Sequence, residues 1–421
     1  MKVSRRGYLI GSAAGVALLP LSHSLAANAA DAASDNSGHF DPTAPLPHKS
    51  AFFPLRGTYL NSGSQHPLSR GAKASLEAYL QYKTMSGASD YSGGAMRKRV
   101  VEKFATLINA SVDEICFVQS TTAGENLVIN ALDIPNSGGR IVTDTLHFFG
   151  SIPTYGELQN RGMDVVTLRH RDGRIDMDEF EAAVTPETRL VSLSSVSTFN
   201  GFQHDLKRVC DIAHEQGALV YADIIHSAGA VPFDVRATGV DFCSTASYKW
   251  LMADMGLGFL YVRSDRLDRL QRPWYGYHQV SSFRSHVFPG DPPGETVADY
   301  ELANTASGFF SMGTVGNMVA AQLDYSLQYL LDVGVERIQR FRQPMIDRLQ
   351  EALPRLGYEP LTPPDSETSL VSFAFADARE KLLPKLREAD VTISVSRHYF
   401  RVSPSVFNDM DDVEHLIDVL G

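Results

Sequence analysis

The sequence is poor in cysteine and carries no excess of positive charge. Its 421 residues include three cysteines, Cys116, Cys210 and Cys243. This odd number lacks the spacing of a metal site and excludes a disulfide framework. Each cysteine stands beside apolar residues, which favours buried free thiols over reactive ones. The net charge of −11 argues against a protein that binds nucleic acid, because such proteins need basic surfaces.

The sequence also lacks an apolar run long enough to span a bilayer. A shorter run, residues 13–19 with its flanks, follows the adjacent arginines Arg5 and Arg6 and precedes small residues ending at Ala29. That order is typical of a removable signal, and the paired arginines resemble the twin-arginine type, with a secretory peptide or a membrane anchor as alternatives. We therefore predict a signal over residues 1–29, export by the twin-arginine machinery, a periplasmic or secreted protein and no stable membrane anchor.

Strand and helix patterns alternate along most of the chain. Residues 30–50 are small and polar, contain proline and predict a flexible linker. Further on, helical segments separate the apolar or β-rich runs "EICFVQS", "RIVTDT", "MDVVTLRH", "RLVSLSSVS", "ALVYAD" and "VDFCSTA". This alternation predicts an α/β fold with a mostly parallel sheet covered by helices on both faces, in a large domain over residues 51–305. Residues 306–421 have the pattern of a smaller α+β domain.

An acid and a lysine follow two neighbouring strands of the predicted sheet. Asp223 ends the run "ALVYAD", and Lys249 comes shortly after "VDFCSTA". Ligands of parallel sheets bind at the carboxyl ends of the strands, so both side chains can reach one crevice. A desolvated lysine can bond covalently to an aldehyde, and an aspartate can hold a protonated pyridine nitrogen. Taken alone, the pair also fits a solvent-exposed lysine and a turn-capping aspartate.

A run of hydroxyl residues adds a third element. Ser120, Thr121 and Thr122 lie between the strand "EICFV" and a helix beginning near Gly124. Hydroxyls and free backbone amides at a helix N-terminus form a phosphate site, although serine and threonine also cap helices without any ligand. A phosphate site, an acid and a lysine at one sheet edge together predict pyridoxal 5'-phosphate as the cofactor.

In these segments the sequence resembles the class V aminotransferase group of fold-type I pyridoxal-phosphate enzymes. The group includes cysteine desulfurases, kynureninases and isopenicillin N epimerase-like proteins. "ASYKW", "DIIH" and "FVQSTTAGEN" carry the resemblance, which runs from about Tyr59 to the C-terminus. It implies that Lys249 binds the cofactor covalently, that Asp223 pairs with the pyridine nitrogen and that His226 lies near the ring oxygen. Thr121 and Thr122 would bind the phosphate, with Asn126 nearby.

Other segments extend the resemblance. "DTLHFFGSIPTY" places His147 over the cofactor ring, although such a histidine is more often a core residue. In "SVSTFNG", Thr198 stands where the family has an asparagine near the cofactor oxygen. Tyr248 beside Lys249 resembles the kynureninase-like branch, and we expect it to contact the cofactor as well. "SMGTVGN" implies that Thr314 of a neighbouring subunit reaches the phosphate, and hence a homodimer. "YFRVSPSVFND" implies that Arg401 binds a substrate carboxylate.

The resemblance predicts an enzyme that acts on an amino acid or an amine-bearing metabolite, with Lys249 as the general base at the α-carbon. We expect an aminotransferase, with an epimerase, a lyase or a non-catalytic binding protein as alternatives. The prediction goes against a cysteine desulfurase, because "READVTISVSRHYFR", the loop before Arg401, has no cysteine. A Rossmann-type dehydrogenase is excluded because no glycine-rich fingerprint follows a strand.

Overall fold

The structure is a computed structural model that describes residues 41–86, 93–311 and 313–421. The predicted signal and the first part of the predicted linker lie outside these residues. In chain order the strands are β1 (Thr58–Tyr59), β2 (Ile115–Val118), β3 (Arg140–Asp144), β4 (Asp164–Leu168), β5 (Thr188–Ser194), β6 (Leu219–Asp223), β7 (Phe242–Ala246), β8 (Gly258–Val262), β9 (Val280–Ser285), β10 (Ala298–Leu302), β11 (Glu359–Pro360), β12 (Val371–Ala374), β13 (Val391–Thr392), β14 (Ser394–Val395) and β15 (Tyr399–Val402).

The α-helices alternate with these strands in the first half of the chain and are longest in the second. In chain order they are α1 (Arg70–Ser86), α2 (Gly93–Leu107), α3 (Thr121–Ala131), α4 (Ile134–Ser137), α5 (Ile152–Asn160), α6 (Met177–Ala183), α7 (Leu206–Glu215), α8 (Val235–Thr238), α9 (Ala306–Phe310), α10 (Asn317–Val333), α11 (Val335–Arg355), α12 (Ala378–Glu388) and α13 (Met410–Leu420). No helix within the described ranges is long and apolar enough to cross a membrane.

The central element is a seven-stranded sheet in the order β2-β8-β7-β6-β5-β3-β4. Strand β8 runs antiparallel to both of its neighbours, and all the other neighbouring pairs are parallel. Every residue of β6, β7 and β8 is buried, as expected for strands covered on both faces. The predicted α/β fold with a mostly parallel sheet is confirmed.

A smaller antiparallel sheet, β11-β12-β15-β14, lies in the last part of the chain, and β1 pairs in parallel with β13. In the four-stranded sheet, Arg401 of β15 is paired with Ser372 of β12. The antiparallel hairpin of β9 and β10 was not predicted, because most of its residues are exposed and no apolar alternation marks it. Its aromatic residues Phe283 and Tyr300 are 65% and 62% exposed.

Candidate active site

The central sheet brings Asp223 and Lys249 to one edge. Asp223 is the last residue of β6 and is paired with Ser244 of the parallel strand β7. Strand β7 ends at Ala246, so the chain turns at the carboxyl edge of the sheet and places Lys249 three residues later. Both side chains are buried, with 4% of Asp223 and 7% of Lys249 exposed. The alternative of a solvent-exposed lysine is therefore wrong.

Lys249 contacts His226, which in turn contacts Thr198. The Nζ atom of Lys249 lies 3.0 Å from Nε2 of His226, and the same ring nitrogen lies 3.0 Å from Oγ1 of Thr198. His226 is fully buried, in the turn that follows β6. Three residues that the sequence predicts to act together, from three separate segments, thus form one cluster.

Burial changes the charge states in this cluster. Desolvation, helped by the positive charge of Arg401, lowers the pKa of Lys249 to about 7, although Asp223 opposes the shift. Desolvation raises the pKa of Asp223 to about 6, against the effects of His147 and Lys249. The pKa of His226 falls well below its ordinary value because of burial and then the nearby Lys249 and Arg401. A lysine that loses its proton near neutral pH is suited to bond an aldehyde and to act as a base.

Arg401 lies beside Thr198 and is also buried. Its Nη1 donates to the backbone oxygen and Oγ1 of Thr198, at 2.8 and 2.7 Å, and its Nη2 donates to Oγ of Ser64 at 2.8 Å. Its Nε is buried and has no hydrogen-bond partner. Desolvation lowers the pKa of Arg401 to about 10, so it remains a cation. The unsatisfied Nε suits an incoming carboxylate. The sequence analysis missed Ser64, because a Ser-Gly-Ser turn carries no signal for a site.

The phosphate turn is built at the N-terminus of α3. Ser120 caps the helix by accepting a hydrogen bond from the backbone nitrogen of Ala123 at 3.2 Å. Thr121 is buried, and its Oγ1 has no hydrogen-bond partner. Gly124 lets the helix lie close to the sheet, because a Cβ there would be 2.7 Å from Cβ of Ser244. Thr122 is exposed. An unsatisfied hydroxyl at the start of an eleven-residue helix fits an anionic group.

His147 lies at the same sheet edge, three residues after the end of β3. Its Nδ1 is 2.9 Å from Oγ of Ser194, and its Nε2 is 2.9 Å from Oε1 of Glu125. Desolvation alone would lower the pKa of His147, but Glu125, with Asp223 and Asp144, outweighs it and the pKa is raised. The sequence analysis missed Glu125, whose side chain also accepts hydrogen bonds from three hydroxyl groups, those of Ser151, Tyr155 and Ser192.

The remaining predicted residues are Tyr248, Asn126 and Thr314. The ring centre of Tyr248 is 5.8 Å from Nζ of Lys249, and Asn126 donates to the backbone oxygen of Thr122 at 2.9 Å. Thr314 is exposed and hydrogen-bonded to Tyr277. It lines a cavity of about 720 Å³ that also contacts Asn126 but does not include Lys249.

The cluster fits pyridoxal 5'-phosphate. Lys249 would hold the aldehyde carbon, Asp223 the pyridine nitrogen and Thr121 the phosphate, with His226 and His147 around the ring. When bound, this cofactor withdraws electrons from the α-carbon of an amino acid and so makes bonds at that carbon easier to break. No group of three or more His, Cys, Asp or Glu within the described residues could hold a metal ion.

A profile of the family described as aminotransferase class-V matches residues 73–416. The chain belongs to this family. A probable cysteine desulfurase of Methanothermobacter thermautotrophicus is 29% identical over 322 residues, which are 75% of this chain and 77% of the relative. A cysteine desulfurase IscS of Anaeromyxobacter sp. is 31% identical over 221 residues, or 50% of this chain. That alignment spans about half of the relative, 54% of its length.

Solved structures share the fold at low identity. The cystine C-S lyase C-DES, in complex with its reaction product cysteine persulfide, has a TM-score of 0.76 and is 21% identical. The match covers 86% of this chain and 97% of that protein. Another structure of C-DES holds glycine covalently linked to the cofactor pyridoxal phosphate. The family and this fold confirm the predicted cofactor, and the protein is a pyridoxal-phosphate enzyme.

These relatives correct the predicted reaction. The sequence analysis put aminotransfer first and went against a cysteine desulfurase, whereas the relatives and the similar structures are named cysteine desulfurases or a C-S lyase. The prediction of an aminotransferase is wrong. The argument against a cysteine desulfurase relied on the absence of a cysteine from one loop, and this absence does not decide whether a carbon–sulfur bond is broken.

Proposed function

We propose that the protein is a pyridoxal-phosphate-dependent carbon–sulfur lyase that acts on cysteine or cystine. The observation that carries the proposal is the buried pair of Lys249 and Arg401, a base of low pKa beside a cation that can hold a carboxylate. The names of the relatives, cysteine desulfurase and cystine C-S lyase, support sulfur as the atom that leaves.

The roles of the side chains follow from their positions. Arg401 binds the α-carboxylate of the substrate through its unsatisfied Nε, which fixes the amino acid in one orientation. Lys249 removes the α-proton as a neutral amine, a form that its low pKa makes available. Asp223 and His226 hold the cofactor ring, and Thr121 holds its phosphate. The same contacts exclude water, because each of these residues is buried.

The thiols of this chain do not receive the sulfur. Cys116, Cys210 and Cys243 are all buried, and burial raises the pKa of each, that of Cys116 to about 12. The Cβ–S bond therefore breaks with release of sulfur to solution. Cysteine and water give pyruvate, ammonia and hydrogen sulfide. Cystine and water give pyruvate, ammonia and cysteine persulfide.

The test is to incubate the purified holoenzyme with L-cysteine or L-cystine and to measure pyruvate, ammonia and released sulfur together. Equal amounts of pyruvate and ammonia, with sulfide or persulfide, support the proposal. Lys249→Ala must abolish all three products. Consumption of either amino acid without pyruvate, or alanine as the product with sulfur retained on the protein, would contradict it.

Assembly and location are part of the same proposal. A second copy would occupy the cavity lined by Thr314 and Asn126 and bring its own Thr314 to the phosphate, in a homodimer. Light scattering of the holoenzyme tests the dimer, and Thr314→Val should weaken cofactor binding if the residue acts across the interface.

Arg5 and Arg6 support export in the folded state. Replacing both by lysine should keep the protein in the cytoplasm, and continued export would contradict the twin-arginine route.

A further inference from the structure

Trp250 directly follows Lys249, and its side chain is fully buried. The indole Nε1 donates a hydrogen bond of 3.2 Å to Nδ1 of His226. An indole N–H can only donate, so Nδ1 of His226 must be the acceptor. A neutral imidazole carries one proton, and with Nδ1 occupied as an acceptor that proton is on Nε2.

The surroundings of His226 keep the imidazole neutral. Burial lowers its pKa, and the positive charges of Lys249 and Arg401 lower it further. A third cation, Arg342, lies on the indole of Trp250, with its guanidinium carbon 5.5 Å from the ring centre. None of the hydrogen-bond partners that the described residues offer to the imidazole is a carboxylate. A buried histidine among cations and without an anion has little tendency to bind a second proton.

The indole is held in place from several directions. Arg342 is itself fully buried, and its Nη2 donates to the backbone oxygen of Ala230 at 2.8 Å. The ring of His66 meets the indole at its edge, with 6.5 Å between the ring centres. A Cβ at Gly229 would lie 2.6 Å from the backbone oxygen of Trp250, so the backbone of Trp250 packs closely against this segment. Trp250 cannot turn its N–H away from His226 without moving these neighbours.

We propose that Trp250 is a positioning residue whose indole fixes His226 as the Nε2–H tautomer, so that the imidazole donates its proton into the active site. In the cofactor-free protein that proton points at Lys249 and Thr198, each 3.0 Å from Nε2. A neutral amine can accept it, whereas an ammonium group cannot. With the cofactor bound, the same N–H would be available to hold the ring oxygen. This inference goes beyond the proposed reaction and holds whichever bond the enzyme breaks.

The direct test is nitrogen NMR of the cofactor-free protein labelled with 15N-histidine. His226→Gln identifies the signals of His226. At about pH 8, where Lys249 with its pKa of about 7 is mostly a neutral amine that can accept the proton, we expect a neutral ring protonated on Nε2 in the wild type. In Trp250→Phe, which keeps an aromatic ring but removes the donor, we expect a substantial fraction of the Nδ1–H tautomer. A wild-type His226 that is charged or protonated on Nδ1, or an unchanged tautomer in the variant, would overturn the proposal.

A second readout uses the holoenzyme. Loss of a donor to a negative ring oxygen should move the pH midpoint of the cofactor absorbance change upward by about one unit in Trp250→Phe. The matched control is Trp274→Phe, which removes the other tryptophan of the chain, a half-buried residue that donates to the backbone oxygen of Phe310 at 3.1 Å. Equal midpoints in the wild type and both variants would count against the proposal.

Failure of Trp250→Phe to fold leaves a decisive measurement on the wild type. The indole proton of Trp250, identified by comparison with Trp274→Phe, should be protected from hydrogen exchange while Nδ1 of His226 carries no proton. A rapidly exchanging indole proton would overturn the proposal.

Discussion

Strands β3 and β6 end in the same way, and the structure uses the two ends differently. Each strand ends in an aspartate, Asp144 or Asp223, and a buried histidine follows three residues later, His147 or His226. In both turns the aspartate Oδ1 accepts a hydrogen bond from the backbone nitrogen two residues further on, at 2.7 and 2.9 Å. The local structure is therefore alike, and the difference between the histidines comes from what surrounds them.

Both ring nitrogens of His147 have a polar partner, and one of these partners is the carboxylate of Glu125. This carboxylate accepts hydrogen bonds from three hydroxyl groups and lies 2.9 Å from the imidazole, whose pKa is raised beside it. The hydrogen-bond partners of His226 among the described residues include no carboxylate. Cations dominate there, and Nε of Arg401, which shares Thr198 with His226, is buried without a partner in the described part of the chain. The first arrangement is suited to support the site, and the second to receive ligands.

The largest effect should come from removing the carboxylate beside His147. Glu125→Ala leaves His147 and the hydroxyls of Ser151, Tyr155 and Ser192 without their acceptor. We expect the free energy of unfolding of the cofactor-free protein to fall by about 3–5 kcal/mol, measured by urea denaturation.

The matched control for this change is Glu179→Ala. Glu179 pairs with Arg171 at 2.6 Å on the surface, where an ion pair contributes about 0.2–1 kcal/mol. Similar losses in the two variants would mean that the Glu125 network does not differ from surface pairing, and the contrast between the two histidines would fail.

A smaller effect is expected near His226, where Arg401→Gln removes the cation that we propose to hold the substrate carboxylate. We expect kcat/KM to fall by roughly 30- to 150-fold, equivalent to about 2–3 kcal/mol, because a charged hydrogen-bonding partner is lost. Steady-state kinetics with L-cysteine and L-cystine, the proposed substrates, measure this. Arg397→Gln, an exposed residue four positions earlier, is the control and should retain activity. Equal activity in both variants would remove Arg401 from the substrate site.

The pH dependence of cofactor uptake sharpens the comparison further. The pKa of Lys249 is about 7, and only the neutral amine attacks an aldehyde. The rate at which the cofactor-free protein binds pyridoxal 5'-phosphate covalently should therefore rise about tenfold per pH unit below about 7 and level off above it. Stopped-flow absorbance measures the rate, and borohydride trapping with Lys249→Ala as the control confirms the attachment site.

The same measurement tests the cation beside the lysine. Arg401 lowers the pKa of Lys249, so the midpoint of the rate profile should move to higher pH in Arg401→Gln. A wild-type midpoint near 10, as for an ordinary lysine, would mean that the site does not desolvate Lys249.

The smallest effect on stability is expected for Thr121→Val. The hydroxyl of Thr121 has no partner in the cofactor-free protein, so its removal should change the free energy of unfolding by less than about 1 kcal/mol. The Kd for pyridoxal 5'-phosphate should rise about tenfold, because the phosphate loses one hydrogen bond. Equilibrium fluorescence titration measures the Kd.

Thr106→Val is the matched control for this change, since its exposed hydroxyl bonds only its own helix, to the backbone oxygen of Glu102 at 2.9 Å. An unchanged Kd in Thr121→Val, or a loss of stability well above that of the control, would assign the Thr121 hydroxyl to packing rather than to the cofactor.

Much of the site could be predicted because its residues stand at the ends of strands with clear patterns. Asp223 and Lys249 follow the runs that became β6 and β7, and parallel pairing brings such ends together. Thr121 could be placed because a helix N-terminus after a strand is visible in the sequence. The hairpin of β9 and β10 could not be predicted, since exposed strands lack the apolar pattern on which prediction depends.

By itself, the sequence determined the α/β fold, the cofactor and the residues at the sheet edge, because apolar periodicity and strand-end motifs are local properties of the chain. The tertiary structure alone decided how each residue is charged and held. Asp144 with His147 and Asp223 with His226 have the same spacing, yet one histidine gains a carboxylate from α3 and the other gains cations and an indole. Electrostatic environments are formed by residues distant in sequence, and no local pattern encodes them.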